Sequence, residues 1–70
     1  MERDIDYVIA VAECGSISQA AEVLYISQPS LSRYLSSLEN ELGVALFIRT
    51  INGTELTEAG KLYVEYAKEI

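Results

Sequence analysis

The sequence predicts a small, mainly α-helical domain in which three helices precede a two-stranded hairpin and a further helix begins after it. Three observations carry this reading. Leu31, Leu35, Leu38 and Leu42 form a stripe at i, i+4, i+7 and i+11, the strongest helical signal in the chain. Only Ile26 and Ser27 separate that helix from the apolar periodicity before it, which suits a tight helix-turn-helix connection. Asn52-Gly53 then marks a hairpin turn between Leu46-Phe47-Ile48 and Thr54-Glu55-Leu56.

Each element has local chemistry to begin and end it. Asp4 can cap the first helix, in which Ile5, Val8, Ile9 and Ala12 share one face, and Gly15 suits the left-handed residue that closes it. Ser18 can cap a short second helix running through Tyr25; Ser16-Ile17-Ser18-Gln19 equally reads as a capping box that starts two residues earlier. Ala20, Ala21 and Leu24 form its apolar side, and two adjacent alanines let another helix approach closely. Ser27 caps the third helix with Pro29 in its first turn, where a missing N–H costs nothing, and Gly43 ends it. Thr57 can cap the last helix, whose Ala59, Leu62, Tyr63, Tyr66, Ala67 and Ile70 occupy one broad face. Two short helices joined by a tight turn and followed by a hairpin describe a winged helix-turn-helix.

Seventy residues, half of them hydrophobic, build one core. A domain this short buries only about 60% of the surface its unfolded chain exposes, so it needs help from a disulfide, a metal or a partner. Cys14 is the only cysteine and histidine is absent, which excludes a disulfide framework and a zinc site and leaves oligomerisation. No metal or other cofactor is expected. No apolar run approaches the roughly 18 residues of a membrane span, and Met1-Glu2-Arg3-Asp4 lacks the layout of a signal peptide, so a cytoplasmic location is expected. An enzyme is disfavoured, because the serines have no histidine to activate them and Cys14 reads as a small buried hydrophobe.

The net charge of −6 argues against a nucleic-acid partner, but its distribution does not. Residues 1–22 carry one base and five acids, residues 38–56 sum to −2 and residues 57–70 to −1, whereas residues 23–37 hold Arg33 and no acid. With the leucines facing inward, the third helix displays Gln28, Pro29, Ser32, Arg33, Ser36, Ser37 and Asn40. Glutamine can pair with adenine, arginine with guanine, and serine with a base or a phosphate, which suits a major groove as well as an ordinary solvated face. Arg49 on the hairpin could reach a phosphate. Tyr7, Tyr25, Tyr63 and Tyr66 fit helix-packing positions, while Tyr34 could pack against the wing or lie on a sugar.

Five linked motifs carry a resemblance across essentially the whole chain. Ala20-Ala21-Glu22-Val23-Leu24, Ser27-Gln28-Pro29-Ser30-Leu31-Ser32-Arg33, Leu38-Glu39-Asn40-Glu41-Leu42-Gly43, Leu46-Phe47-Ile48-Arg49 and Leu56-Thr57-Glu58-Ala59-Gly60 resemble, in order and spacing, the N-terminal region of LysR-type transcriptional regulators. The resemblance implies sequence-specific binding of double-stranded DNA at a pseudo-palindromic operator, with the helix of about residues 28–42 in the major groove. By position it makes Gln28, Pro29, Ser32 and Arg33 the base-reading set, and Ser18, Gln19, Ser27, Ser36 and Arg49 the backbone contacts. It further implies residues 1–56 as the DNA-binding domain and 57–70 as the start of a linker helix that makes a homodimer through Leu62, Tyr63, Tyr66 and Ile70. A ligand-sensing domain that takes a small-molecule effector belongs to the family's full-length proteins and has no counterpart in these residues. Where many members carry further cations, this chain has Ser36-Ser37 and Asn52-Gly53. The rival reading is a helix-turn-helix used for protein interaction or dimerisation without DNA.

Overall fold

The computed structural model of the chain describes residues 2–69, with side chains from residue 4 onward; the expected dimer residue Ile70 lies outside the described residues. Four helices and one antiparallel hairpin follow in the order α1 (Glu2–Cys14), α2 (Ile17–Leu24), α3 (Gln28–Leu42), β1 (Phe47–Thr50), β2 (Gly53–Leu56) and α4 (Glu58–Lys68). Helix α1 packs against α2, α3 and α4, and β2 closes against α1 and α4.

Most of the caps sit where the local chemistry puts them. Gly15 (φ 66°) and Gly43 (φ 74°) take the left-handed conformation that ends α1 and α3. Ser27 accepts from the Ser30 N–H to start α3, with Pro29 in the first turn, and Thr57 accepts from the Gly60 N–H to start α4. Two N-terminal expectations fail. Helix α1 begins at Glu2, so Asp4 is inside it and accepts a hydrogen bond from the Tyr34 hydroxyl instead of capping. Helix α2 is capped by Ser16, whose side chain accepts from the Gln19 N–H at 3.2 Å; Ser18 lies within the helix, leaving the earlier of the two boundaries as the real one.

The core gathers Val8 and Val11 of α1, Ala20 and Ala21 of α2, Leu31, Leu35 and Leu38 of α3, and Leu46 just before the hairpin. The buried face of α1 is therefore turned from the expected one: Val11, not Ile9 or Ala12, joins Val8 in full burial, and Ile5, Ile9 and Ala12 are half-buried. The α3 stripe ends early, because Leu42 at the last turn is 46% exposed. Tyr7 and Tyr63 pack against the core as expected, and Tyr25 does not. It ends α2 in the left-handed region at φ 60° and is 94% exposed, since that conformation turns the chain sharply toward α3 and the side chain outward.

The hairpin pairs Phe47 with Leu56, Ile48 with Glu55, Arg49 with Thr54 and Thr50 with Gly53. Its two loop residues are consequently Ile51 and Asn52, and the positive φ that the turn needs falls on Gly53 at 115°. Gly53 is also where the wing touches the helices. The Thr54 N–H donates to the Gly15 carbonyl at 3.0 Å, and a Cβ on Gly53 would stand 2.6 Å from that same oxygen.

Helix α4 turns a narrower stripe to the core than its sequence pattern suggests. Gly60, Tyr63, Val64 and Ala67 face inward at i, i+3, i+4 and i+7, whereas Leu62 and Tyr66 are 65% and 72% exposed. The broad apolar face thus divides into a buried side and an open side. Among the described residues no helix is long and apolar enough to cross a membrane.

Candidate nucleic-acid interface

On an α-helix successive side chains turn by about 100°, so the burial of Leu31, Leu35 and Leu38 dictates what the remainder of α3 presents. Arg33 stands almost diametrically opposite that buried stripe, with Pro29 and Asn40 beside it, and all three are exposed. Gln28, Ser32 and Ser36 lie on the flank nearer the hairpin. Ser30, Tyr34, Ser37 and Glu41 lie on the other flank, toward α1.

Two adjoining hollows run along the hairpin flank. One is bounded by Ser32, Ser36, Glu39, Ile48 and Arg49, the other by Ser16, Ser18, Gln28, Arg49 and Gly53. Arg49 borders both. The fold therefore brings Ser18 of α2, Gln28, Ser32 and Ser36 of α3, and Arg49 of the wing onto one continuous surface. Arg33 is not in those hollows. It projects from the outer ridge and borders a separate depression with Asp4, Ser30, Tyr34, Ser37 and Glu41.

Internal hydrogen bonds already commit several of these groups. The Ser18 hydroxyl donates to Gln28 Oε1 at 2.9 Å, and the Ser27 hydroxyl donates to Ser30 Oγ at 2.8 Å while accepting from the Ser30 N–H. The Gln19 N–H is held by the Ser16 cap, and its side chain is exposed. Tyr34 lies neither against the wing nor outward toward a sugar. Its ring meets Tyr7 edge-on at a centroid distance of 4.7 Å and its hydroxyl donates to Asp4.

Glu39 supplies what sequence reasoning missed. Its carboxylate accepts from the main-chain N–H groups of Leu46 at 2.6 Å and Phe47 at 3.1 Å, which ties the last turn of α3 to the entry of β1. The bond holds the end of α3 against the start of the hairpin, and it turns one acid of the helix onto main-chain donors. A glutamate eight residues before a strand gives no local sign of this, since only the chain reversal at Gly43 brings the two together. Glu55 is likewise engaged, accepting from the Thr50 hydroxyl at 3.2 Å. The first turn of α3 carries no acid.

A helix-turn-helix with a paired wing, read together with the family model for the bacterial regulatory helix-turn-helix protein of the lysR family, which matches residues 3–61, decides the classification. The chain belongs to the LysR family. The HTH-type transcriptional regulator ClcR of Pseudomonas putida is 50% identical over 68 residues, covering 97% of this chain and 23% of the relative. The HTH-type transcriptional regulator TfdT of Cupriavidus pinatubonensis is 44% identical over 97% of this chain and 30% of its own length. The chain thus spans under a third of these LysR relatives. Among solved structures, the CbnR DNA-binding domain in complex with DNA superposes with a TM-score of 0.90 at 43% identity, covering 99% of this chain and 79% of that one. The BenM DNA-binding domain bound to the catB site 1 DNA gives 0.91 at 38% identity, covering 99% and 78%. LysR-family winged helix-turn-helix architecture accordingly accounts for the order α1–α4 with the wing between α3 and α4.

Proposed function

We propose that this chain binds double-stranded DNA sequence-specifically as the DNA-binding part of a cytoplasmic LysR-type transcriptional regulator, and that it is not an enzyme. The observation that carries the reading is the surface shared by the hairpin flank of α3 and Arg49, whose one bordering acid, Glu39, is turned onto main-chain donors, in a chain of net charge −6. An acidic protein with no nucleic-acid role has no physical reason to clear fifteen residues of acid around one helix and aim a wing arginine at the same side.

Gln28, Ser32 and Arg33 read base edges in the major groove, and Pro29 offers an apolar contact to a thymine methyl. Arg49, Gln19 and Ser36 meet phosphates, and Ser18 and Ser27, whose hydroxyl protons are committed internally, contribute main-chain N–H groups at the starts of α2 and α3. Residues 1–56 form the DNA-binding unit, and α4, capped by Thr57, begins the helix through which two copies pair, using the open side that bears Leu62 and Tyr66, with the partly buried Tyr63 beside it. The operator is then pseudo-palindromic, with half-sites one turn of DNA apart, roughly 34 Å, or a multiple of it.

The test is duplex binding at low salt, followed by site selection from a random library. Arg33→Ala should cost roughly 1 to 3 kcal/mol on the selected site and little on random DNA, whereas Arg49→Ala should weaken both alike. Equal losses for Arg33→Ala on both duplexes would remove it from the base-reading set. No retention of any duplex would favour the rival protein-interaction reading, which the exposed Val23 and Tyr25 at the end of α2 would then serve.

A further inference from the structure

Leu46 stands between α3 and α4, and its side chain and both of its main-chain polar groups are committed. The side chain is 1% exposed in the core. Its N–H donates to the Glu39 carboxylate of α3 at 2.6 Å, and its carbonyl accepts from the Thr57 N–H at the start of α4 at 3.0 Å. The neighbouring residues repeat the pattern. The Phe47 N–H donates to the same Glu39 oxygen at 3.1 Å, and the Ala45 carbonyl accepts from the Thr57 hydroxyl at 2.6 Å. Glu39 also receives the Gly43 and Val44 N–H groups on its own carbonyl, at 2.8 and 3.2 Å, so one residue of α3 gathers the reversal into the hairpin. On the other side Thr57 accepts from the Gly60 N–H at 3.0 Å, and α4 lies so close that a Cβ on Gly60 would overlap the Leu46 carbonyl oxygen. Residues 45–47 are thus a strap tied to α3 at one edge and to α4 at the other.

We infer that Glu39 is a positioning residue for operator spacing: through the 45–47 strap it fixes the start of α4 relative to α3, and so fixes the separation and rotation at which two paired copies hold their recognition helices. The inference rests on the DNA-binding and pairing readings above and goes beyond them by assigning a residue that sets half-site spacing. The physical reason is stiffness. Helix α4 packs mainly on α1 and β2, and α3 mainly on α1 and α2, so the strap is the short hydrogen-bonded route between the two. Apolar packing is non-directional, whereas two charge-assisted hydrogen bonds on one carboxylate oxygen define an orientation. Moving one half-site by two base pairs also rotates it by roughly 70° about the duplex, which a stiff pair of copies does not follow. Glu39 acts through the strap and touches no DNA.

The experiment selects a half-site with the 70-residue chain, then measures binding to duplexes carrying two such half-sites whose separation changes one base pair at a time. The unsubstituted chain should favour one separation over those two base pairs to either side by about tenfold, because only there do both copies engage together. Glu39→Ala, which frees the strap from the α3 side chain, and Thr57→Val, which removes the hydroxyl that holds it to α4, should each bring that ratio to within about threefold of unity while keeping the selected half-site bases. Glu39→Gln, whose carboxamide oxygen has two lone pairs for the two N–H groups, should retain the preference. The ratio is taken within each variant, so a general loss of affinity or stability cancels, and a Glu39 that only stabilises the fold would leave it unchanged. An unchanged ratio in Glu39→Ala, or in Thr57→Val where Glu39→Ala does not fold, overturns the inference, and so does a lack of any preferred separation in the unsubstituted chain with duplex binding intact. Failure of the unsubstituted chain to retain any duplex at low salt overturns the DNA-binding reading itself, and the assignment with it.

Discussion

Tyr34 shows how one side chain joins two helices: from α3 its ring packs on Tyr7, and its hydroxyl donates to Asp4 near the start of α1. That hydrogen bond is the main reason the Asp4 carboxyl is held below its ordinary value of 3.8. Asp4 in turn adds its charge to the burial that raises the Tyr63 hydroxyl on α4 above 10.0. A carboxyl depressed in the fold stabilises it above the unfolded pKa, and that contribution is lost as pH falls through the folded value. The difference in melting temperature between the parent and Tyr34→Phe should therefore be larger at pH 6 than at pH 3. A constant difference would mean that Tyr34 acts through ring packing alone. For Tyr63 the sign is opposite: its raised pKa contributes stability present below pH 10 and lost above it. Tyr25 carries a different strain, a left-handed backbone at φ 60° that asparagine adopts more readily. Tyr25→Asn should raise the unfolding free energy by roughly 0.5 to 1 kcal/mol, measured by denaturant titration.

At the scale of elements, the joint between α3 and the wing is the Glu39 carboxylate on the Leu46 and Phe47 N–H groups. Hydrogen bonds to a charged acceptor contribute about 1.5 to 3 kcal/mol, and Glu39→Ala should destabilise the domain by an amount in that range. The more diagnostic outcome is on DNA. If the joint holds Arg49 at its distance from α3, Arg49→Ala should weaken duplex binding clearly in the parent and much less in the Glu39→Ala background, as a double-mutant cycle would show. Additive losses would separate the wing from the joint. The other joint is backbone to backbone. Helix α4 lies so close to the chain entering β1 that a Cβ on Gly60 would overlap the Leu46 carbonyl oxygen, and it would meet Leu56 Cδ2 at 2.8 Å. Helix propensity alone predicts that Gly60→Ala stabilises by about 1 kcal/mol. The close approach reverses the sign, and a loss of about 2 kcal/mol or more is expected in chemical denaturation.

For the whole molecule, charge and pairing set the conditions of function. If Arg33 and Arg49, helped by Lys61, neutralise about two or three phosphates per copy as proposed, a dimer should show a slope of log affinity against log salt of roughly −4 to −5. A slope near −10 would require contacts outside those named. The open side of α4 bears the exposed Leu62 and Tyr66, and a second copy is the proposed cover. Melting temperature should then rise with protein concentration. Because Tyr66 is 72% exposed, Tyr66→Glu should leave the fold intact while weakening binding to a two-half-site operator. A monomer at all concentrations by sedimentation, with Tyr66→Glu binding as the parent does, would make α4 a core element only.

Element order, the Ser27 and Thr57 caps, the glycine stops at Gly15 and Gly43, and the Leu31–Leu35–Leu38 core stripe were legible in the sequence, because each depends on interactions within a few residues. So was the family, from five short motifs, and with it the face of α3 that bears Gln28, Ser32 and Arg33. What the sequence left open were matters of contact between distant segments. Ser16 and Ser18 are equivalent caps by composition, and only the path of the chain from Gly15 to α2 chose the first. Tyr34 had two plausible neighbours in the sequence and found a third on α1. Leu62 and Tyr66 look like Tyr63 and Ala67 in a helical pattern, yet the close seat of Gly60 on Leu46 sets the rotation of α4 that buries one pair and opens the other. Local periodicity says which residues share a face; which neighbour that face meets depends on groups ten or more residues apart and is decided only when the chain is folded.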